Sequence, residues 1–194
     1  MAIDFVGFTG ECRIVGAIPL ADDRLSDMLN SVARVVVRNA RVEQIDTGRT
    51  DASDVTVPCG EFLAVVGTGR RGMESQRRRT LRRKVRMGLG RYVVCGYLHV
   101  LPAAHAESLD GGPEALLVGR DLLVPLTEAT IGYDRAGKAH EETWDTLLVN
   151  RARASWIESA ADEDDDGPLS SVVEPRAAAH RARYVKDFTG TVAD

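Results

Sequence analysis

The sequence predicts a mainly β protein with short helices, built as two small antiparallel β-barrel or sandwich units related by an internal duplication. Three observations lead there. Val, Leu, Ile and Ala supply most of the apolar residues and aromatics only 5%, a composition suited to β-rich packing. The apolar residues fall in short runs bounded by Gly, Pro, Asn and Asp, the punctuation of strands and turns. The order of those runs in residues 12–66 then recurs in residues 92–150, with a strongly basic segment between them.

The elements follow in chain order. Cys12 to Leu20, CRIVGAIPL, reads as a strand with Ile14, Gly16, Ile18 and Leu20 in one register, and Gly16 marks a bend, bulge or close backbone approach. Asp22 or Asp23 is placed to cap a short helix, RLSDMLN, in which Leu25, Met28 and Leu29 recur at helical spacing as apolar anchors. Asn30 is placed to end that helix in a left-handed turn. Val35, Val37, Val42 and Ile45 predict a strand pair or one long bent strand, Asp46 to Gly60 a polar turn region, and Glu61 to Val66 a short buried strand.

The second half repeats this grammar. Tyr92 to Leu101 carries Gly96 where the first half has Gly16, Leu122 to Tyr133 matches Ala33 to Ile45, and Thr146 to Asn150 matches the short strand EFLAVV. The short helix has no clear second copy, its place being taken by Ala104 to Glu114, rich in Gly, Pro and small residues. The expected organisation is a first β unit in residues 1–69, a connecting helix in 70–91, a second β unit in 92–160, an acidic linker in 161–173 and an amphipathic helix in 174–190. The linker contains DEDDDGP, too charged to pack, and the last helix presents Tyr184, Val185 and Phe188 on one face for protein docking.

The strand, RLSDMLN and strand of residues 12–66 resemble a bacterial domain family with an Arg-Leu-Ser-Asp-x-Leu-Asn core, carried here by Arg24 to Asn30. The resemblance covers about the first third of the chain. It implies architecture only, a short helix between β-strands, and no activity comes with it.

Arg70 to Arg91 holds ten of the 25 Lys and Arg and one acid, Glu74. This segment is therefore +9 in a chain of net −4, and the rest of the chain is −13. Such asymmetry points to a polyanionic partner or to an internal electrostatic contact. Read as a helix, the segment carries a stripe of Met73, Leu81, Val85 and Leu89 surrounded by Arg78, Arg79, Arg82, Arg83 and Arg86, the candidate contacts to a partner or to nucleic acid. Internal neutralisation is the favoured alternative, because the protein is acidic overall and the segment has no interleaved aromatics.

Motifs for chemistry are missing. Gly67 to Gly72 is a literal G-x-G-x-x-G, but no parallel strand with a ribose-binding acid follows it, so it reads as a turn. Cys12, Cys59 and Cys95 are isolated, which suits buried thiols in a reducing compartment, and His140-Glu141-Glu142 lacks the second histidine of a zinc helix. No nucleophile, base or carboxylate couple is positioned by spacing. No apolar run is long enough to span a membrane, and a cytoplasmic location is expected.

The expected function is that of a non-catalytic adaptor or assembly subunit, with protein partners or self-association and no cofactor, metal or membrane. A nucleic-acid-binding regulator using Arg70 to Arg91 is the alternative. An enzyme whose site is assembled from scattered residues is the second.

Overall fold

The computed structural model describes residues 2–20, 24–68, 80–100 and 120–160. All described residues belong to one compact unit, Met1–Ala160. The expected linker and C-terminal helix, with Tyr184, Val185 and Phe188, lie outside the described residues, as do Arg78 and Arg79.

The described chain is mainly β. Strands β1 (Ala2–Phe8) and β2 (Cys12–Pro19) form a hairpin, helix α1 (Leu25–Ser31) follows, and β3 (Arg34–Gln44) and β4 (Thr50–Pro58) form a second hairpin. A 3-10 turn at Cys59–Glu61 leads into β5 (Ala64–Val66). The second half runs β6 (Leu81–Leu89), β7 (Tyr92–Val100), β8 (Leu123–Arg135) and β9 (Lys138–Asn150), then a 3-10 turn at Arg151–Arg153 and β10 (Ala154–Ser159). All ten strands join in one open antiparallel sheet of order β10-β6-β7-β8-β9-β5-β1-β2-β3-β4. The order of the second half, β10-β6-β7-β8-β9, thus has the same pattern as that of the first, β5-β1-β2-β3-β4.

In place of two closed barrel or sandwich units, the two halves of the chain share this one sheet and meet by edge-to-edge strand pairing. Strand β5 lies between β1 and β9, with Ala64, Val65 and Val66 opposite Val149, Leu148 and Leu147. Around this joint the halves exchange core residues. One core gathers β6 to β10 side chains with Phe8, Ile45 and Ala64 of the first half, and the other gathers β1 to β4 and α1 with Leu123 and Leu148 of the second.

The expected Arg-rich helix over residues 70–91 is corrected where the chain is described: Leu81–Leu89 is a strand. Its apolar stripe at Leu81, Val85 and Leu89 has a spacing of four, which is also a multiple of the strand period of two. Val85, Met87 and Leu89 all lie in the core, while the alternate Arg82, Lys84 and Arg86 face the other side. Two further expectations change. Asp46 to Gly60 is largely β4, whose polar residues suit a strand at the sheet edge. Asn30 remains inside α1, and the helix ends instead at Val32 in an extended conformation.

Gly16 and Gly96 play matching parts. The β2–β3 register slips between Val15 and Ala17, and the β7–β8 register between Cys95 and Tyr97. Facing each glycine is a residue with left-handed backbone, Asn39 at φ 49° and Glu128 at φ 50°. A Cβ on Gly16 would lie 2.7 Å from Val37 Cγ1 and 2.8 Å from the Arg38 carbonyl oxygen; one on Gly96 would lie 3.1 Å from Ala129 Cα and the Thr127 oxygen. We expect Gly16→Ala to cost about 1–3 kcal/mol through forced backbone movement, with Gly96→Ala costing less. Parallel urea titrations check the order, and equal midpoints for both variants and the parent would contradict it.

Candidate functional site

Three places in the described structure concentrate unusual chemistry: a charged cluster where the halves meet, the basic face of β6, and the asparagine contacts at the joint between the halves.

The charged cluster is built from four strands. Arg13 of β2 stands opposite Glu43 of β3 in the ladder, and Arg41 shares the face of Glu43. From the second half come Arg135 and Tyr133 of β8 and His140 and Glu142 of β9, brought together by the β8–β9 hairpin. Glu43 is only 3% exposed. Its Oε2 accepts from Arg13 Nη1 at 3.3 Å and from Arg135 Nη1 at 2.9 Å, and its Oε1 pairs with Arg41. The other amino group of Arg13, Nη2, lies 3.1 Å from Glu142 Oε2, and the Tyr133 hydroxyl donates to Glu142 Oε1 at 2.7 Å. Beneath these charges Phe8, Tyr92 and Tyr133 pack with their rings tilted to one another, and His140 stacks on Tyr133 at 5.5 Å.

The electrostatics are those of a lock. Burial opposes the charge of Arg13, but the hydrogen bond to Glu142 and the charges of Glu142 and Glu43 outweigh it and raise its pKa. Burial, reinforced by the hydrogen bond to Glu142, pushes the Tyr133 phenol well above its ordinary value. Both carboxylates are thus held by guanidinium or phenol donors, an arrangement that ties strands of the two halves together. Arg91 adds a further tie by pairing with Asp46, which holds that carboxyl below its usual range.

The basic face holds two of the five arginines singled out from the sequence, Arg82 and Arg86. Arg82 stacks over the Tyr97 ring at 4.0 Å and pairs with Glu128 at 2.7 Å. Arg86 lies 5.9 Å from the Trp156 ring, with its Nη1 3.5 Å from Glu158 Oε1, and Lys84 lies 5.9 Å from Tyr97. Arg83 is exposed on the opposite side of the strand. Beside them His99 bridges Thr80 at 3.0 Å and Thr127 at 2.8 Å, and burial, helped by Arg82, lowers its pKa. The aromatic neighbours come from β7 and β10, so no interleaving within residues 70–91 could have shown them.

Helix α1 serves the joint between halves. Leu25 and Leu29 are buried and Met28 packs partly against the same core, as their spacing implies. Asn30 places its side-chain amide on the backbone of Leu123, accepting from its N–H at 2.8 Å and donating to its carbonyl at 3.0 Å. Asn150 works similarly from the other side: it is fully buried and donates to the carbonyls of Phe62 and Gly60. Sequence reading missed Glu43, Arg13, Arg135, Glu142 and Asn150.

Among the described residues no three His, Cys, Asp or Glu side chains gather as metal ligands, and no helix is long and apolar enough to cross a membrane. Comparison with protein-family models, curated proteins and solved structures gives no match.

Proposed function

We propose that the chain is a non-catalytic adaptor or assembly subunit that binds other proteins by strand addition at its sheet edges, with residues 174–190 as a second docking element. The observation that carries this reading is the β5–β9 joint. There the edge strand of one half takes up the edge strand of the other, antiparallel and in register, which is the geometry of recognition by strand addition. An internal duplication underlies the reading and is supported by the shared strand order, the paired bulges at Gly16 and Gly96, the left-handed Asn39 and Glu128, and the 3-10 turn after each second hairpin. With the two halves joined by their edges, β10 and β4 are the outermost strands among the described residues and the edges we assign to partners. The charged cluster favours a structural role as well, since its carboxylates are occupied by internal donors.

A second reading, nucleic-acid binding, is favoured by the stacking of Arg82 on Tyr97 and the approach of Arg86 to Trp156, a pairing of cations and π-faces that single strands use. Against it, Glu128 and Glu158 already answer Arg82 and Arg86. The triple variant Arg82→Gln, Arg83→Gln, Arg86→Gln separates the two. We expect it to change affinity for single-stranded or duplex oligonucleotides by less than about threefold at any salt concentration, and to lower the melting temperature by a few degrees, as lost surface pairs do. A salt-sensitive submicromolar complex abolished by the triple variant, with melting unchanged, would replace the adaptor reading with the nucleic-acid one.

A further inference from the structure

We propose that the outer edge of β10 is a self-association surface: two copies pair there about a two-fold axis at Ile157, joining their sheets into one. The proposal rests on the strand-addition reading above and commits it to a partner, a second copy of this chain.

The backbone of β10 is prepared for this. The Ala160 amide donates to the Lys84 carbonyl at 3.0 Å, and Glu158 stands opposite Arg86 two residues earlier. Backbone groups alternate sides along an antiparallel ladder, so those of Ile157 and Ser159 point away from β6, toward an edge with no strand partner among the described residues. The first half shows what this position does when a strand is at hand. Val65 is opposite Gly7 on β1 as Ile157 is opposite Met87 on β6, and Gly7 and Met87 each face the residue two before the bulge glycine. Val65 therefore stands where Ile157 stands. Val65 faces β9: the Gly67 amide, two residues on, donates to Thr146 at 2.9 Å, and Val65 pairs with Leu148.

The other edge is unsuited to the same use. Counted from the matched bulges, Arg34, Thr56 and Pro58 of the β3–β4 hairpin stand where Leu123, Leu148 and Asn150 stand at the internal joint. The two leucines that enter the neighbouring core and the asparagine that holds the neighbouring backbone are replaced by a cation, a hydroxyl and a proline without an amide. Proline and charge are the means by which edge strands are blunted. A head-to-tail chain through β4 and β10 is thereby disfavoured, and β10, which has neither proline nor lysine, is left to pair with its own copy.

The two-fold register is also favourable in charge. With Ile157 on the axis, Ile157 exchanges both backbone hydrogen bonds with its counterpart, Trp156 stands opposite Glu158 of the partner subunit, and Ser155 opposite Ser159 of the partner subunit. No like charges face each other. Moving the axis by one residue, onto Glu158, would oppose two carboxylates, which destabilises a cross-strand pair. Closed two-fold pairing of one patch with itself is also the commonest form of self-association.

Sedimentation velocity of the full chain over a wide concentration range, with residue-level amide exchange at both ends of it, tests this. The expected result is a reversible monomer–dimer equilibrium from 21.1 kDa in which the Ile157 and Ser159 amides become protected only as the dimer forms. Ser159→Pro, at an exposed side chain, removes one outward amide and should weaken dimerisation by about tenfold or more; Ile157→Pro should abolish it. If Ile157→Pro unfolds the chain, Ser159→Pro still decides. A monomer at every concentration, a dimer that protects β4 amides instead, or protection of Ile157 in the monomer would each overturn the proposal. In the monomeric case the wider adaptor reading is judged separately, by cross-linking from β10 to a different protein.

Discussion

Glu43→Ala is expected to destabilise the protein by about 3–5 kcal/mol, lowering the melting temperature by roughly 10 °C or more. Glu43 is 3% exposed and compensates Arg13, Arg41 and Arg135. Its removal leaves two part-buried guanidiniums, Arg13 and Arg135, without that carboxylate, and breaking a buried ionic set costs more than the set contributes relative to apolar packing. Glu142→Ala is the control. Its side chain is 21% exposed and meets Arg13 and the Tyr133 hydroxyl, so its loss should cost less than half as much. Thermal unfolding of the three proteins in one buffer checks this order. Equal melting of the Glu43→Ala variant and the parent would show that the cluster does not hold the two halves together.

Leu29→Asp is expected to be at least as severe. Leu29 is 1% exposed, and α1 has only Leu25 and Met28 as further anchors. Burying an unpaired carboxylate there costs several kcal/mol beyond the lost packing. Because α1 carries Asn30 to the backbone of Leu123, the damage should reach the joint between the halves. Amide exchange should therefore accelerate in β8 and β9 as well as in β1 to β4. A variant with native melting and exchange confined to α1 would mean that the helix is not part of the joint.

The strand content was legible because apolar alternation and bounding turns are local signals. Ile14 and Ile18, Val35 and Val37, and Tyr92, Val94 and Leu98 all entered the core as the period-two pattern implied. The short helix was legible for the same reason, since Leu25 and Leu29 are four apart beside polar neighbours. Where two periods share a multiple, the signal fails. Leu81, Val85 and Leu89 fit a helix stripe and a strand face equally, and the arginines between them removed the alternation that would have chosen. Polar β4 was hidden because an edge strand need not be apolar.

The site residues were harder. Glu43 meets Arg13 only once β2 and β3 pair, and Arg135 and Glu142 arrive through a hairpin about 90 residues later in the chain. Nothing local distinguishes them from surface charges. Asn150 and Asn30 likewise act through distant backbone, Phe62 and Leu123. A single sequence carries no trace of such pairings. The basic segment shows the converse case, a loud local signal whose meaning depends on the aromatics and acids that neighbouring strands place beside it.

The central claim, that the protein works by adding strands at its edges, is tested most directly by site-specific photo-cross-linking from position 158 on β10 in the full chain within its native cell, compared with a probe at position 82 on the basic face. Glu158 is 49% exposed on the strand whose outer edge has no strand partner among the described residues, and Arg82 is 46% exposed. The account predicts discrete protein adducts from position 158, of this chain or another, that Ser159→Pro diminishes without loss of the fold. Adducts to nucleic acid from position 82, with none to protein from position 158, would contradict it.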